Sequence, residues 1–438
     1  MTSSDISINR QILRLAIPSI LANITVPIVG IVDLAIAGHI GDATTMGGIA
    51  IGTMLFDLLY WNMGFLRVGT GGITAQAYGR GDFHKAVETF CQGIITAWGV
   101  AAIILALQTL FIFVAFLLVD CTPEVEILAK EYFFIRIWAV PATLSLMVFR
   151  GWFIGMQNTV FPMILDITVN VINAAASYFF AVSMKMGIAG VAYGTILAQY
   201  IGFTLAIILI VSRYKALFKG LVVRACVRWN EIRSFFKINS DLFLRSLMML
   251  VVYTGFTSIS ATYGDTELAV GALMMKMLLL YSYFVDGFAY AGEALSGRFI
   301  GARDSSHLKE TVGKLFVWCF AIGIVSTFAY AFFGRPMVHI FSSDAEVIAG
   351  CEPYLFWLLL MPVISCIAFT WDGIYIGATA SAALRNSMVW SASSFVITYI
   401  ALKGLLGIQA LYLAYFIHLF VRSLYLTLVC RKNVFVVR

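Results

Sequence analysis

The stretch Gly151-Trp152-Phe153-Ile154-Gly155 returns 222 residues later as Gly373-Ile374-Tyr375-Ile376-Gly377. At the same offset Gly79-Arg80-Gly81-Asp82 aligns with Gly301-Ala302-Arg303-Asp304, and Glu124-Val125 with Glu346-Val347. Three separated matches in one register mark an internal repeat. Hydropathy shows what is repeated. Apolar runs long enough to span a bilayer fall at 11–39, 47–78, 86–118, 124–155, 158–183, 187–213, 240–262, 269–299, 309–334, 346–377, 387–404 and 407–430. Six lie in each repeat, and because six is even both repeats enter the membrane from the same side. The repeat is therefore parallel, about an axis along the membrane normal. The expected fold is an all-α polytopic membrane protein of twelve transmembrane helices in two six-helix lobes. Its expected divisions are an N-lobe over 1–215, a basic cytoplasmic linker over 216–239 and a C-lobe over 240–438.

Composition agrees. Of 438 residues 61% are hydrophobic and 12% charged, about half the charged share of a soluble domain. The mean hydropathy is +0.92. A net charge of +6 is too small and too scattered for nucleic-acid binding, and fits the basic excess of cytoplasmic loops. Arg10, Arg14, Arg80, Lys85, Arg303, Lys309, Arg385, Arg431, Lys432 and Arg438 all fall on one side, whereas Asp42, Asp120, Glu124, Asp265, Glu267 and Asp344 fall on the other. Both termini are then expected in the cytoplasm of a multi-pass plasma (inner) membrane protein. The first apolar run has no small-residue cleavage site and is expected to remain as a helix. Seven cysteines without a CxxC pair point to neither a disulfide framework nor a zinc site. No HExxH, Gly-x-Ser-x-Gly or Walker phosphate loop is present, so neither an enzyme nor a bound metal or cofactor is expected.

Charges on membrane helices are costly and mark candidate function. On the first helix Asp33 has apolar residues on both sides and lies about six residues, roughly 9 Å, from the outer end. A carboxylate held from water there can take up a proton and release it on rehydration. The alternative is a structural carboxylate capped by Asn and Thr side chains, a role that a neutral Asn fills at less cost. Pro18 and Pro27 remove backbone donors on the cytoplasmic side of Asp33, giving either a bend that responds to its protonation or a fixed kink. On the eighth helix Asp286 and Glu293 share a face, with Lys276 nearer the outer end. Their counterparts in the first repeat are Gly64, Gly71 and Met54, and that of Asp33 is Gly255. The scaffold was duplicated without its charges. Asp286 and Glu293 form either a second proton or substrate-cation site, with Lys276 and Asp372 as its other candidate members, or an ion-pair network with Lys276, Arg245 or Arg298; Asp372 on the tenth helix is similar but lies nearer a helix end, where snorkelling is harmless. Asp57 and Arg67 on the second helix read as structural, paired with each other or with a neighbouring helix, whereas Arg150 and Asp166, near the cytoplasmic ends of the fourth and fifth helices, read as headgroup contacts or as a gate. His418 is the one intramembrane histidine. Seventeen Met, 35 Phe, 19 Tyr and nine Trp offer soft, aromatic walls for an amphipathic ligand.

The run Val29-Gly-Ile-Val-Asp33-Leu-Ala-Ile-Ala-Gly38-His39-Ile-Gly41, with Gly48-Ile-Ala-Ile-Gly52 and Gly71-Gly-Ile-Thr-Ala-Gln-Ala-Tyr-Gly79, resembles the multidrug and toxic compound extrusion (MATE) transporters. Asp286-Gly-Phe-Ala-Tyr-Ala-Gly-Glu293 resembles the hallmark of their DinF branch. The resemblance covers the whole chain. It implies an exporter that exchanges protons or sodium for small organic compounds, often amphipathic cations. It further implies that Asp33 is the coupling carboxylate, that Asn173 and Thr195 belong to the polar cluster around it, and that Pro18 is the kink of the first helix. A second family carboxylate falls at Ser177, so this chain departs from the pattern. A hard cation wants several anionic or carbonyl oxygens, and one carboxylate instead of two favours protons. The expectation is a monomeric proton-coupled antiporter working by alternating access. The alternatives are sodium-coupled efflux, and a flippase for lipid-linked or amphiphilic molecules that would use Arg67, Arg245, Lys276 and Arg298 as a basic lining.

Overall fold

Hydrocarbon offers no partner to a backbone amide or carbonyl, so a chain this apolar must satisfy them within each segment, and it does so as helix. A computed structural model describes residues 7–40, 43–119, 121–219, 229–342 and 344–435, without the side chains of 28–35, 37, 39–40, 43 and 229–235. Twelve long helices follow in order: α1 Ile8–Ile40, α2 Thr44–Arg80, α3 Phe83–Leu118, α4 Pro123–Gly155, α5 Val160–Ser183, α6 Gly187–Phe218, α7 Trp229–Ala261, α8 Asp265–Gly301, α9 Ser305–Phe341, α10 Ala345–Gly377, α11 Ser381–Leu406 and α12 Gln409–Asn433. Eleven of them are long and apolar enough to cross a membrane on their described residues, and α1, 33 residues long, is the twelfth. The chain is an all-α polytopic membrane protein, as expected.

Local departures from regular helix have local causes. α2 is interrupted at Gly64, and α4 tightens to a 3-10 turn over Ile137–Ala139 just before Pro141. In contrast α1 stays helical through both Pro18 and Pro27. α7 begins at Trp229, earlier than hydropathy placed it, because Glu231, Arg233 and Lys237 hide a helical segment from an apolarity scan. Of the basic linker, 220–228 lie outside the described residues, as do Asp42, Asp120 and Arg438.

The repeat is written into the backbone. Among the described residues, six of the eight with positive φ fall in pairs 222 apart: Gly81 (φ 71°) with Arg303 (58°), Gln157 (61°) with Thr379 (54°), and Lys185 (58°) with Gly407 (57°). This conformation strains most L-residues, so its recurrence in pairs records one inherited turn set. The repeated Asp82 and Asp304 cap the helices that follow, with Oδ1 accepting from the Lys85 amide at 2.9 Å and the His307 amide at 3.0 Å. Gly151 packs on the Arg67 carbonyl and Gly373 on that of Ala289, again 222 apart. A methyl group at either would overlap the carbonyl. The repeated five-residue stretch thus supplies the glycine on which a neighbouring helix closes.

By packing, the chain forms two units. One comprises Met1–Ile20, Ala75–Gly81 and Phe236–Arg438, the other Leu21–Thr74 and Asp82–Phe235. In the C-terminal unit, the end of α2 crosses α8 reciprocally: Gly79 meets the Arg298 carbonyl, and Gly301 meets that of Gln76. Gln76 also donates to the Gly377 carbonyl at 2.9 Å and to Thr379 Oγ1 at 3.1 Å. These contacts bring 75–81 into that unit. In the N-terminal unit α2 packs on α4 through a stack of Phe56, Phe133 and Phe111, with ring centroids 5.1 and 5.6 Å apart.

Filling the crossings tests this packing. Gly151→Leu and Gly373→Leu are each expected to cost about 1–3 kcal/mol by overpacking, read as a fall in Tm of the purified protein. Gly404→Leu, with open space around the added side chain's first atom, is expected to leave Tm unchanged.

Candidate functional site

The N-terminal unit joins α5 and α6 through small and polar side chains. Gly190 lies against the backbone at Ala181, and Gly194 against Ser177, so the two helices approach closely. Between them Asn173 Nδ2 donates to Thr195 Oγ1 at 2.9 Å, and Thr195 Oγ1 donates to the Val191 carbonyl at 3.1 Å. Ser177 donates to that same carbonyl at 3.4 Å and is fully buried. The structure therefore brings together the three polar residues expected here, Asn173, Ser177 and Thr195. One turn before Asn173, Asn170 Nδ2 donates to Thr25 Oγ1 of α1 at 2.7 Å. That bond ties α1 to α5, and sequence gave no sign of it because 145 residues separate the partners. Asp33 lies on α1, seven residues before its end at Ile40, and its side chain falls outside the described set. α1 passes from the C-terminal to the N-terminal unit at Ile20 and Leu21, between Pro18 and Pro27.

The charges of the fourth and fifth helices are paired, as Arg150 Nη2 lies 2.6 Å from Asp166 Oδ1. Arg67 adds its field at the same carboxylate. At the position 222 residues after Arg150 stands Asp372, and there the polarity is reversed. Asp372 Oδ2 accepts from Arg245 Nη2 of α7 at 2.6 Å and from Arg422 Nη2 of α12. Their side chains are 13%, 10% and 2% exposed for Arg245, Asp372 and Arg422. One carboxylate therefore joins α7, α10 and α12 in the interior of the C-terminal unit. Arg422 went unnoticed in the sequence because it is submerged within the long apolar run of α12 and has its partner fifty residues earlier. A second clamp, also unnoticed, joins α7 to α11. Asp241 accepts from Arg385 Nη1 at 2.5 Å and from Ser381 Oγ at 2.9 Å.

The remaining acids expected on α8 sit differently from one another. Glu293 is fully buried. Asp286 is half-buried, within electrostatic reach of Tyr253, Tyr281 and Tyr283. Lys276 is exposed, and none of the ion pairs among the described residues involves it. Arg298 Nη1 donates to Gln11 Oε1 at 3.3 Å. His418 is buried, its ring stacked on Tyr415 with centroids 5.9 Å apart. Among the described residues no three His, Cys, Asp or Glu side chains gather as a metal site.

Two copies of one six-helix scaffold, with polar and charged side chains held inside the membrane-spanning part, define a membrane transporter and not an enzyme. The chain belongs to the MatE family, whose profile matches residues 18–179 and 242–402, once in each repeat. It is 33% identical over 440 residues to the DNA damage-inducible protein F of Escherichia coli (strain K12), covering 99% of this chain and 93% of that one. To the chloroplastic Protein DETOXIFICATION 44 of Arabidopsis thaliana it is 24% identical, over 92% and 78% of the two chains. Among solved structures, the outward-facing conformation of a multidrug resistance MATE family transporter of the MOP superfamily superposes with a TM-score of 0.88 at 16% identity. That match covers 98% of this chain and 96% of the other.

The shared carboxylate makes a thermodynamic prediction. Asp372→Leu would leave two guanidinium groups facing each other without their counter-ion, at a cost of about 3–5 kcal/mol. Arg422→Leu leaves Asp372 still paired with Arg245 and is expected to cost clearly less. Thermal melting of the two purified variants beside wild type checks the order.

Proposed function

We propose that this protein is a proton-coupled antiporter that exports small organic compounds, often cationic or amphipathic, by alternating access across the plasma (inner) membrane. In this reading Asp33 is the coupling carboxylate. Protonation from the outer side neutralises it, the N-terminal half rearranges with α1 flexing near Pro18 and Pro27, and substrate leaves outward. The neutral pair Asn173 and Thr195 would orient the carboxylate and shield it from water. Both termini would lie in the cytoplasm, and a monomer would suffice, since one chain holds both repeats.

The observation that carries the choice of ion is the setting of Ser177. A second carboxylate at that position would help to hold sodium, which wants several charged or carbonyl oxygens. Here the hydroxyl is fully buried, bonded to the Val191 carbonyl and packed against Gly194. That leaves Asp33 as the sole anion proposed for the cluster, and a single carboxylate suits a proton. The flippase alternative drew on a basic lining. Arg245 is instead tied to Asp372 and Arg298 to Gln11, which favours export of organic compounds. On α8 and α10, Asp286 and Glu293 stay candidates for a second proton or cation site, whereas Asp372 serves better as the anchor of a network.

Reconstitution into proteoliposomes tests the reading, with dye efflux driven separately by a proton and by a sodium gradient. Proton-driven efflux is expected in wild type and is expected to vanish in Asp33→Asn. Efflux driven by sodium alone would refute the ion assignment, and an Asp33→Asn variant as active as wild type would refute the role of Asp33.

A further inference from the structure

Asp57 belongs to none of the pairings described above. Asp57 lies on α2, thirteen residues from Thr44 and 23 from Arg80, or about 20 and 35 Å along the helix. A hydrocarbon core is about 30 Å thick, so a core centred on α2 puts Asp57 about 7 Å inside it, farther than its short side chain reaches. It is nevertheless exposed on the N-terminal unit. A charge cannot face lipid tails at this depth without a large penalty, so an exposed one there faces water.

No ion pair among the described residues satisfies Asp57. Its electrostatic neighbour is Arg136 of α4, which is engaged elsewhere. Arg136 Nη1 donates to Tyr132 Oη at 2.7 Å, and the guanidinium stacks on the Phe56 ring 4.6 Å from its centroid. Arg136 thus lends a field to Asp57 without neutralising it by contact. Around Asp57, at spacings that put them on one helical face, stand Met54 and Trp61. They are 47% and 42% exposed. A carboxylate, a tryptophan face and a polarisable thioether are what an organic cation needs: charge, cation–π attraction and adaptable apolar contact. The equivalent face of the second repeat holds Lys276, Leu279 and Tyr283, with a cation in place of Met54 and no acid.

We propose that Met54, Asp57 and Trp61 form a binding subsite of the N-terminal unit for an amphipathic organic cation. The inference rests on the export reading above and names where the cation is held. Arg136 tempers the site. Its nearby positive charge competes with the substrate and keeps the cation from being bound too tightly to leave.

Equilibrium binding of tetraphenylphosphonium to the purified full chain tests this, with tetraphenylborate, of the same shape and opposite charge, as control. Asp57→Asn is expected to raise the Kd for the phosphonium about tenfold, as for loss of one charge-assisted contact. Trp61→Ala should raise it about three- to thirtyfold. Arg136→Gln should lower it several-fold, a tightening that a merely structural arginine would not give. Borate binding should not weaken in Asp57→Asn. An unchanged Kd in Asp57→Asn, or weaker binding in Arg136→Gln, overturns the subsite. If Asp57→Asn elutes aggregated, Trp61→Ala and Arg136→Gln decide by the same criteria. A wild type that binds and exports the phosphonium beside an unaffected Asp57→Asn refutes the subsite alone. A wild type that neither binds nor exports it removes cation export, and the subsite with it.

Discussion

A charge inside hydrocarbon must be answered by another charge or by water, and the arrangement of this protein follows from how each of its few buried charges meets that demand. Asp372 is answered twice, by Arg245 and Arg422. Asp241 is answered by Arg385, and Asp166 by Arg150. Each pair links different helices, so each acts as a tie within one unit.

Duplication supplied the scaffold on which that sorting took place. The turns at 81 and 303, 157 and 379, and 185 and 407 keep a positive φ in both halves. The glycine crossings at Gly151 and Gly373 are likewise kept in both. The charges, however, diverged: the position that is Arg150 in one half is Asp372 in the other, each with partners of opposite sign. Preserving the shape while exchanging the chemistry lets corresponding positions carry ion pairs of opposite polarity. In the proposed mechanism the titrating group is Asp33, and the residues proposed to surround it, Asn173 and Thr195, are neutral.

Much of this was legible in the residues. The helices follow from apolar run lengths, because a backbone in lipid must pair its own polar groups and a single apolar run of this length does so only as helix. The repeat motif around Asp82 and Asp304 was visible although Gly81 faces Arg303 in the alignment. The shared requirement is a left-handed turn followed by a capping carboxylate, which both residue pairs meet. The polar cluster was reached only through family resemblance, since nothing in spacing links Asn173 to Thr195. Ion-pair partners were the hardest to read. A hydropathy scan sees Arg245, Asp372 and Arg422 as three separate interruptions, and only the packing of α7, α10 and α12 joins them. The same blindness hid the bond from Asn170 to Thr25 and the stacking of Arg136 on Phe56.

The central claim is that one carboxylate, Asp33, exchanges a proton for substrate. Proton release on substrate binding measures this most directly: purified protein in weakly buffered solution is mixed with an organic cation that it binds, and a pH indicator records the protons set free. The account predicts release by wild type and none by Asp33→Asn at matched occupancy. Equal release from both, or none from wild type, would contradict it.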